Sequence, residues 1–253
     1  MPLYKEQGVV LRATKLAEAD KIVSILTQGS GKVRAVAKGV RRTQSKFGGR
    51  LEPFTHVSLL LYQGRSLDTI TQAEIVSPFR AIREDFTRFS AGEAMLEAVD
   101  RVSEEHEKNV QLFLLLLNGL RALDAGPPDP AAVAGSFILK LLSLSGFQLS
   151  LSECASCGSQ AVVAFSSSQG GAVCGDCAER DAVPVGREVL AWLDSLAKAE
   201  LATAGEGGAP DLLRREGWQL LSGYAEYHFE RRMRSLPLLS RTAPPAPAAL
   251  PLP

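Results

Sequence analysis

The first 80 residues alternate between short apolar runs and polar or glycine-containing breaks, a pattern that is typical of β-strands. In the third run, Val33, Ala35 and Ala37 share one face and the charged residues lie on the other. Gly64 separates the last two runs, where it favours a hairpin turn. Five short strands predict a small closed barrel, and the oligonucleotide-binding (OB) barrel is the common five-stranded case. The predicted strands span 8–13, 21–27, 32–38, 57–62 and 66–76.

After Pro78 the apolar residues recur every three or four positions, which indicates helices that pack through one face. The second predicted helix is apolar on all sides, so we expect it inside a bundle. It ends before Pro127 and Pro128, because proline cannot continue a helix. Asp129 then provides an N-cap, with Pro130 at the first helical position. The predicted helices span 86–102, 110–123, 130–146, 187–201 and 212–233.

These patterns predict an α+β multidomain protein. It has an N-terminal five-stranded OB-fold β-barrel and an α-helical C-terminal domain with an inserted four-cysteine zinc module. The end of the chain is almost entirely Ala, Pro and Leu, so it cannot form a core and is expected to be disordered. The predicted boundaries are 1–80 for the barrel, 81–150 for the helical domain, 151–182 for the inserted module, 183–240 for the continued helical domain and 241–253 for the tail.

All four cysteines of the chain fall in two Cys-x-x-Cys pairs, Cys154 with Cys157 and Cys174 with Cys177, with 16 residues between the pairs. This is the spacing of four-cysteine zinc sites, in which two tight turns each direct two thiolates at one ion. Four protein ligands leave no open position for water, so we predict one structural zinc ion per chain. A redox dithiol, which also uses Cys-x-x-Cys, is the alternative.

The net charge of zero conceals a basic first third of the chain. Residues 1–80 carry 13 Lys or Arg and 6 Asp or Glu, a net charge of +7, and the remainder carries −7. Seven cations lie between positions 32 and 50, in a stretch whose glycines predict a mobile loop. Such a loop can contact phosphates and an aromatic side chain in it could stack on a base, although a solvated basic surface is the alternative. The predicted DNA-binding residues are Lys32, Arg34, Lys38, Arg41, Arg42, Lys46, Phe47 and Arg50.

No catalytic pattern stands out in the sequence. The three histidines form no metalloprotease or nucleophile motif, and no phosphate-binding Gly-Lys-Ser/Thr loop occurs, so we expect no enzymatic activity. His228 lies among aromatic residues and is expected to pack in a helix. No run of about 18 apolar residues is present and the start lacks the apolar core of a signal peptide, so we expect a cytoplasmic protein.

Several short stretches follow one another in a characteristic order over residues 1–240. They include Gly8-Val-Val-Leu-Arg, Glu18-Ala-Asp-Lys-Ile-Val, Ala37-Lys-Gly-Val-Arg-Arg, Leu51-Glu-Pro-Phe54, the four cysteines, Tyr227-His228 and Arg234-Ser235. In this order and spacing the chain resembles the RecO family of bacterial recombination mediators and DNA-repair proteins. That family does not keep the four cysteines throughout, so they mark a subgroup. The tail after Arg241 departs from the family pattern.

The resemblance implies an OB barrel, a helical domain and a zinc-ribbon-like insertion in a nucleoid-associated protein. It also implies binding of single- and double-stranded DNA and annealing of complementary strands. The implied partners are a RecR-like protein and single-stranded-DNA-binding protein, so that RecA recombinase can load. The residues that match the family's basic loop are Lys38, Arg41, Arg42 and Lys46.

The helical domain offers a second expected binding site. We expect the acidic, apolar tail of a single-stranded-DNA-binding protein to dock there near basic side chains. The candidate partner-binding residues are Arg121, Lys140 and Arg232.

Two other classes of function stay open on the sequence. A zinc-ribbon regulator or an RNA-binding OB protein would prefer a particular sequence or RNA, and would not anneal strands coated with single-stranded-DNA-binding protein. A metal-dependent nuclease or hydrolase would need an open metal position or a cluster of carboxylates, and the sequence selects neither.

Overall fold

The computed structural model describes residues 2–16, 18–42, 45 and 47–239. The first part holds five strands, and β1 pairs with both β2 and β4, so the sheet closes on itself as a barrel in the order β1-β2-β3-β5-β4. All neighbours are antiparallel except β3 and β5. The strands are β1 (Leu3–Lys15), β2 (Lys21–Thr27), β3 (Gly31–Ala37), β4 (His56–Tyr62) and β5 (Asp68–Ser77).

The five predicted N-terminal strands and the α+β class are confirmed. Val33, Ala35 and Ala37 are all buried, as the alternation in this strand predicts, and they face the barrel interior with Ile25 and Leu61. Strand β1 begins earlier than predicted, because its first residues pair with β4. Several of these residues are polar, so an apolar pattern does not detect them. Two predictions, for Lys46 and for the tail 241–253, concern positions outside the described residues.

Phe47 lies inside the barrel and does not face solvent. Its side chain is 1% exposed and belongs to the apolar cluster that fills the barrel, together with Leu51 of the short 3-10 helix Gly48–Leu51. The prediction that Phe47 stacks on a nucleic-acid base is therefore wrong for this conformation, because a buried ring offers no face to a base. Phe47 and Leu51 thus help to fill the barrel core.

Seven helices lie in the described part of the chain after β5. α4 is the central one, because it packs against α2, α3, α5 and α6. Asp129 caps α4 by accepting a hydrogen bond from the amide of Ala132 at 3.1 Å, as predicted. No helix among the described residues is both long and apolar enough to span a bilayer. The helices are α1 (Arg80–Glu84), α2 (Phe86–Val102), α3 (Val110–Asp124), α4 (Pro130–Leu144), α5 (Arg187–Lys198), α6 (Asp211–His228) and α7 (Leu236–Leu239).

The barrel and the helices share an apolar core. Leu11 and Leu26 point outward from the barrel and belong to the same cluster as Leu96 of α2. At the junction, the Arg83 guanidinium donates to the carbonyl oxygen of Pro53 and to the Thr55 hydroxyl, the latter at 2.7 Å. The apolar contacts hold the outer face of β1 and β2 against the helices, and the Arg83 hydrogen bonds hold the segment before β4. Part of this outer face is therefore covered and not open to solvent.

The helix α7 is attached to α2 through the carboxylate of Glu97. This carboxylate accepts hydrogen bonds from the amides of Arg234 and Ser235, at 3.1 and 2.9 Å, and from the Ser235 hydroxyl at 2.5 Å. Burial opposes the charged form, but these hydrogen bonds outweigh it and lower the pKa of Glu97. The ionised form of Glu97 thus holds the two residues that precede α7. Both α1 and α7 escaped prediction because they are too short to show a helical period.

The cysteine segment forms a small sheet between α4 and α5. Its strands are β6 (Val162–Ser166), β7 (Gly171–Cys174) and β8 (Val183–Pro184), in the order β7-β6-β8. Phe165 and Val173 belong to the apolar cluster of the helices, and the Phe165 ring meets that of Tyr224 at 5.8 Å. The predicted domain boundaries stay predictions. One apolar cluster contains residues of the barrel, of the helices and of the cysteine segment, and so crosses these boundaries.

Replacing Phe47 with Ala should lower the free energy of unfolding by about 3–5 kcal/mol, because a fully buried ring leaves a cavity in the barrel. Phe86 is the matched control, since it is 72% exposed and its replacement should change stability by less than about 0.5 kcal/mol. Chemical denaturation followed by circular dichroism measures both. Equal stability of the two variants would contradict the buried position of Phe47.

Candidate metal centre and nucleic-acid surface

Each cysteine pair lies in a tight turn that its backbone closes. The amide of Gly158 donates to the carbonyl of Cys154 at 2.9 Å, and the amide of Ala178 donates to the carbonyl of Cys174 at 3.0 Å. Gly158 has a φ of +74°, a conformation that side chains with a Cβ rarely adopt, so glycine suits this turn. The first turn follows α4 and the second follows β7, and the small sheet brings the two turns together.

The four sulfur atoms converge on one point. All four lie within 4.8 Å of one another, and the Sγ atoms of Cys157 and Cys174 are 3.7 Å apart. A tetrahedral ion with metal–sulfur bonds of about 2.3 Å requires sulfur–sulfur distances of about 3.8 Å. The donor set therefore fits a single tetrahedral metal ion, as the cysteine spacing predicts.

The thiols influence one another's protonation. Hydrogen bonds from the backbone at Cys174, and then at Cys157 and Ser156, lower the pKa of Cys154 to about 6. Hydrogen bonding to the sulfur of Cys174, and then to that of Cys157, raises the pKa of Cys177 to about 12. Metal ligands of this kind must be thiolates, so a divalent cation would replace the protons of these thiols when it binds.

The basic segment after β3 presents cations to solvent. Lys38, Arg41 and Arg42 are exposed, and Arg50 is half-buried. Lys46, which was predicted with them, lies outside the described residues. Three of the predicted DNA-binding cations therefore lie within one exposed turn at the end of β3.

This turn is held by the connection between β1 and β2. The Arg41 amide donates to the carbonyl of Ala19 at 3.0 Å, and its guanidinium donates to the carbonyl of Glu18 at 2.7 Å. The Gly39 amide donates to the Asp20 carboxylate at 2.8 Å. Three hydrogen bonds to the connection between β1 and β2 thus hold Gly39 and Arg41 of the turn, and the predicted mobility of the longer loop stays a prediction. The Arg41 cation therefore has a defined position.

Lys32 and Arg34 do not belong to the exposed turn. The Lys32 ammonium donates to the Asp100 carbonyl at 2.7 Å and lies 3.6 Å from its carboxylate, and its side chain is only 13% exposed. The Arg34 guanidinium lies 3.3 Å from the carboxylate of Glu105. Lys32, which was predicted to bind DNA, is thus largely covered by the helical part of the chain, whereas Arg34 stays partly exposed beside it.

Two of the three predicted partner-binding residues line one cavity. Arg121 and Lys140 line a surface cavity of about 770 Å³ together with Lys198 and apolar side chains from the α3–α4 connection. The Lys140 ammonium donates to the carbonyl of Ala197 at 2.8 Å, and burial lowers the pKa of Lys140. Arg232 is exposed and does not line this cavity, so the structure does not bring it together with the other two.

Comparison with known proteins agrees with both halves of this architecture. The family description "Recombination protein O N terminal" matches residues 1–79, and "Recombination protein O C terminal" matches residues 83–237. The chain belongs to the RecO family. The proteins named DNA repair protein RecO from Frankia casuarinae and Nocardioides sp. are each 44% identical to it, over 95% and 94% of this chain and 100% of their own lengths. The Bifidobacterium animalis subsp. lactis protein of that name is 44% identical over 94% of this chain and its full length.

The RecO resemblance inferred from the sequence is thus confirmed, and the family is one of DNA-repair proteins. His228, for which only packing was expected, stacks on Phe147 at a ring distance of 4.5 Å, and burial lowers the pKa of His228. Sequence reasoning missed Asp100 and Glu105, the acidic partners of the barrel cations. The acidic residues at 104, 105 and 107 follow the predicted helix 86–102, and on the sequence alone they indicate only a solvated helix end.

Replacing Cys154 with Ser should release bound metal and lower the melting temperature, because the cysteine turns share the core of the helices. DNA affinity should change only through stability. The exposed Ser152, in the same segment, is the control and its replacement with Ala should change neither property. Elemental analysis, thermal unfolding and DNA titration measure the three quantities. Lost DNA affinity with unchanged metal content and stability would contradict a structural role.

Proposed function

We propose that this chain is a non-enzymatic mediator of recombinational DNA repair. It anneals complementary strands and assists RecA loading on single-stranded DNA that is coated with single-stranded-DNA-binding protein. The observation that carries the proposal is the exposed cationic turn of Lys38, Arg41 and Arg42, held in place on a five-stranded barrel of a RecO-family chain. A RecR-like protein is the proposed partner in this activity.

Annealing requires no bond chemistry from the protein. It requires that two phosphate backbones approach each other, and cations that contact phosphates lower the repulsion between them and release bound counterions. The exposed turn supplies cations in a fixed position, and backbone contacts of this kind are independent of base sequence. We assign the barrel to the OB type on the strand order and on the family, and OB barrels bind oligonucleotides through one face and its loops.

The proposed metal is one Zn²⁺ ion per chain, held by Cys154, Cys157, Cys174 and Cys177. Thiolates are soft ligands that favour zinc at tetrahedral sites with four sulfurs. Four protein ligands saturate the ion, so its proposed role is to stabilise the turns. The exposure of Cys157 allows exchange of the ion with solvent chelators.

The cavity beside Arg121 and Lys140 is the proposed docking site for the tail of single-stranded-DNA-binding protein. Its three cations, which include Lys198, outnumber the two lining acids Glu200 and Glu206, and this balance suits an acidic peptide. Its apolar lining from residues such as Leu115 and Leu201 suits apolar side chains. Lys140 donates to a backbone carbonyl at 2.8 Å, whereas Arg121 donates at 3.3 Å to the exposed side chain of Asn118, so Arg121 is the side chain better placed to contact the peptide.

The alternative function is that of a zinc-ribbon and OB-type regulator or an RNA-binding protein. The exposed turn would suit RNA phosphates as well as DNA phosphates. The annealing reaction separates the two functions, because such a regulator would not anneal DNA strands that are already coated. The reaction is run without ATP and its product is examined for intact length, which also tests the absence of nuclease activity.

Replacing Lys38, Arg41 and Arg42 together with Ala should weaken binding to single-stranded DNA and slow annealing. Three lost phosphate contacts should reduce the slope of log K against log salt by about 2. The matched control replaces Arg180, Arg187 and Arg215, which are exposed cations on other elements, and carries the same change in net charge. Fluorescence anisotropy over a range of salt concentrations measures the slopes. Equal effects in both triple variants would refute the assignment of the turn.

Replacing Arg121 with Glu should weaken binding of a peptide with the sequence of an acidic, apolar tail by roughly tenfold or more, since a like charge would then face the peptide. Replacing Arg232 with Glu makes the same change in charge outside the cavity and should have little effect. Isothermal titration with the synthetic peptide decides between them. A larger loss with the Arg232 variant would move the site away from this cavity.

A further inference from the structure

One edge of β3 is covered by the loop that follows α2. Lys32 and Glu105 form a parallel bridge, and the His106 amide donates to the carbonyl of Lys32 at 3.0 Å. Gly31 lies so close to this loop that a Cβ would come within 2.0 Å of the carbonyl oxygen of Glu107. The loop therefore sits in a defined position against the barrel, and its side chains meet the cations of β3.

Arg12, Ser24 and Arg34 form a row across the outer face of the barrel. Arg12 of β1 is paired with Ser24 of β2, which is paired with Arg34 of β3. Two strand spacings place the two arginine backbones about 10 Å apart. Both arginines line a cleft of about 840 Å³, and Arg101 and Arg234 contribute to its other wall. The row is open to this cleft.

Both arginines form ion pairs with carboxylates of the helical part of the chain. Asp100 lies 3.5 Å from the Arg12 guanidinium, and Glu105 lies 3.3 Å from that of Arg34. The side chains of Arg34 and Glu105 are each 41% exposed, so this ion pair is open to solvent, contributes little to stability and is readily exchanged. The Arg12 side chain is 59% exposed, whereas Asp100 is 21% exposed and also lies 3.6 Å from the Lys32 ammonium. Lys32 differs, because it is largely buried and donates to a backbone oxygen.

We propose that Arg12 and Arg34 form a second phosphate-contacting row for single-stranded nucleic acid, and that Asp100 and Glu105 occupy this row in the DNA-free protein. A guanidinium binds carboxylate and phosphate through the same paired hydrogen bonds, so a phosphate can take the place of either acid. Annealing brings two strands together, and a row separate from the Lys38 turn gives the second strand its own contacts. This inference rests on the proposed DNA binding.

Replacing Glu105 with Gln tests the row, because Gln keeps the side-chain size and the backbone bridge. With one competing carboxylate removed, affinity for a single-stranded oligonucleotide should rise roughly two- to fivefold at low salt. The matched control is Glu104→Gln, an exposed neighbour with the same change in charge and no ion pair in the described part of the chain. It should raise affinity less than Glu105→Gln does.

Replacing Arg34 with Gln as well should cancel the gain, so the double variant should bind like Arg34→Gln alone. Thermal unfolding of each variant separates binding from folding. Equal gains from the Glu104 and Glu105 variants, or a gain that survives loss of Arg34, would overturn the proposal. If the wild-type protein binds DNA through the Lys38 turn and Glu105→Gln has no effect, only the second row fails. If the wild type binds no DNA, the proposed function itself fails.

Discussion

The packing of the barrel's outer face on α2 determines which parts of this protein can meet a ligand. Leu11 and Leu26 point away from the barrel interior and into the core of the helices. Burial of such apolar area is the main favourable term in folding, so this contact fixes where the barrel sits. Cations on the same face then meet acids of the helical part, whereas those in the turn after β3 stay exposed. The apolar contact between the barrel and α2 therefore determines which cations are paired with acids and which are exposed.

The metal centre is tied to the same core. Cys154 and Cys174 are buried in the apolar cluster of the helices, and Phe165 packs on Tyr224 of α6. A metal ion that holds the two turns together would therefore stabilise the packing of α6 as well as the small sheet. In α6, Arg214 forms a buried ion pair of 3.2 Å with Asp129, the residue that caps α4. Breaking a buried pair leaves an uncompensated charge, so this contact ties the start of α6 to the start of α4.

Local patterns in the sequence predict the elements well because each depends on neighbouring residues. The alternation of Val33, Ala35 and Ala37, the cap at Asp129 and the spacing of the cysteines all correspond to observed features. The errors concern contacts between distant parts of the chain. Phe47 is buried because its segment returns to the barrel, and Lys32 is paired with an acid 68 positions away. Composition and periodicity hold no information on such contacts, so exposure of a charged or aromatic residue could not be derived from them.

The attachment of α7 to Glu97 has a consequence for how the protein is made. The two partners are 138 positions apart, and the later one lies near the end of the described chain. Synthesis proceeds from the N-terminus and early parts of a chain fold first, so the barrel can form long before Ser235 is available. During that interval α2 lacks one of its neighbours and the Glu97 carboxylate lacks its amide donors. The attachment of α7 to α2 can thus form only after residue 235 has been synthesised.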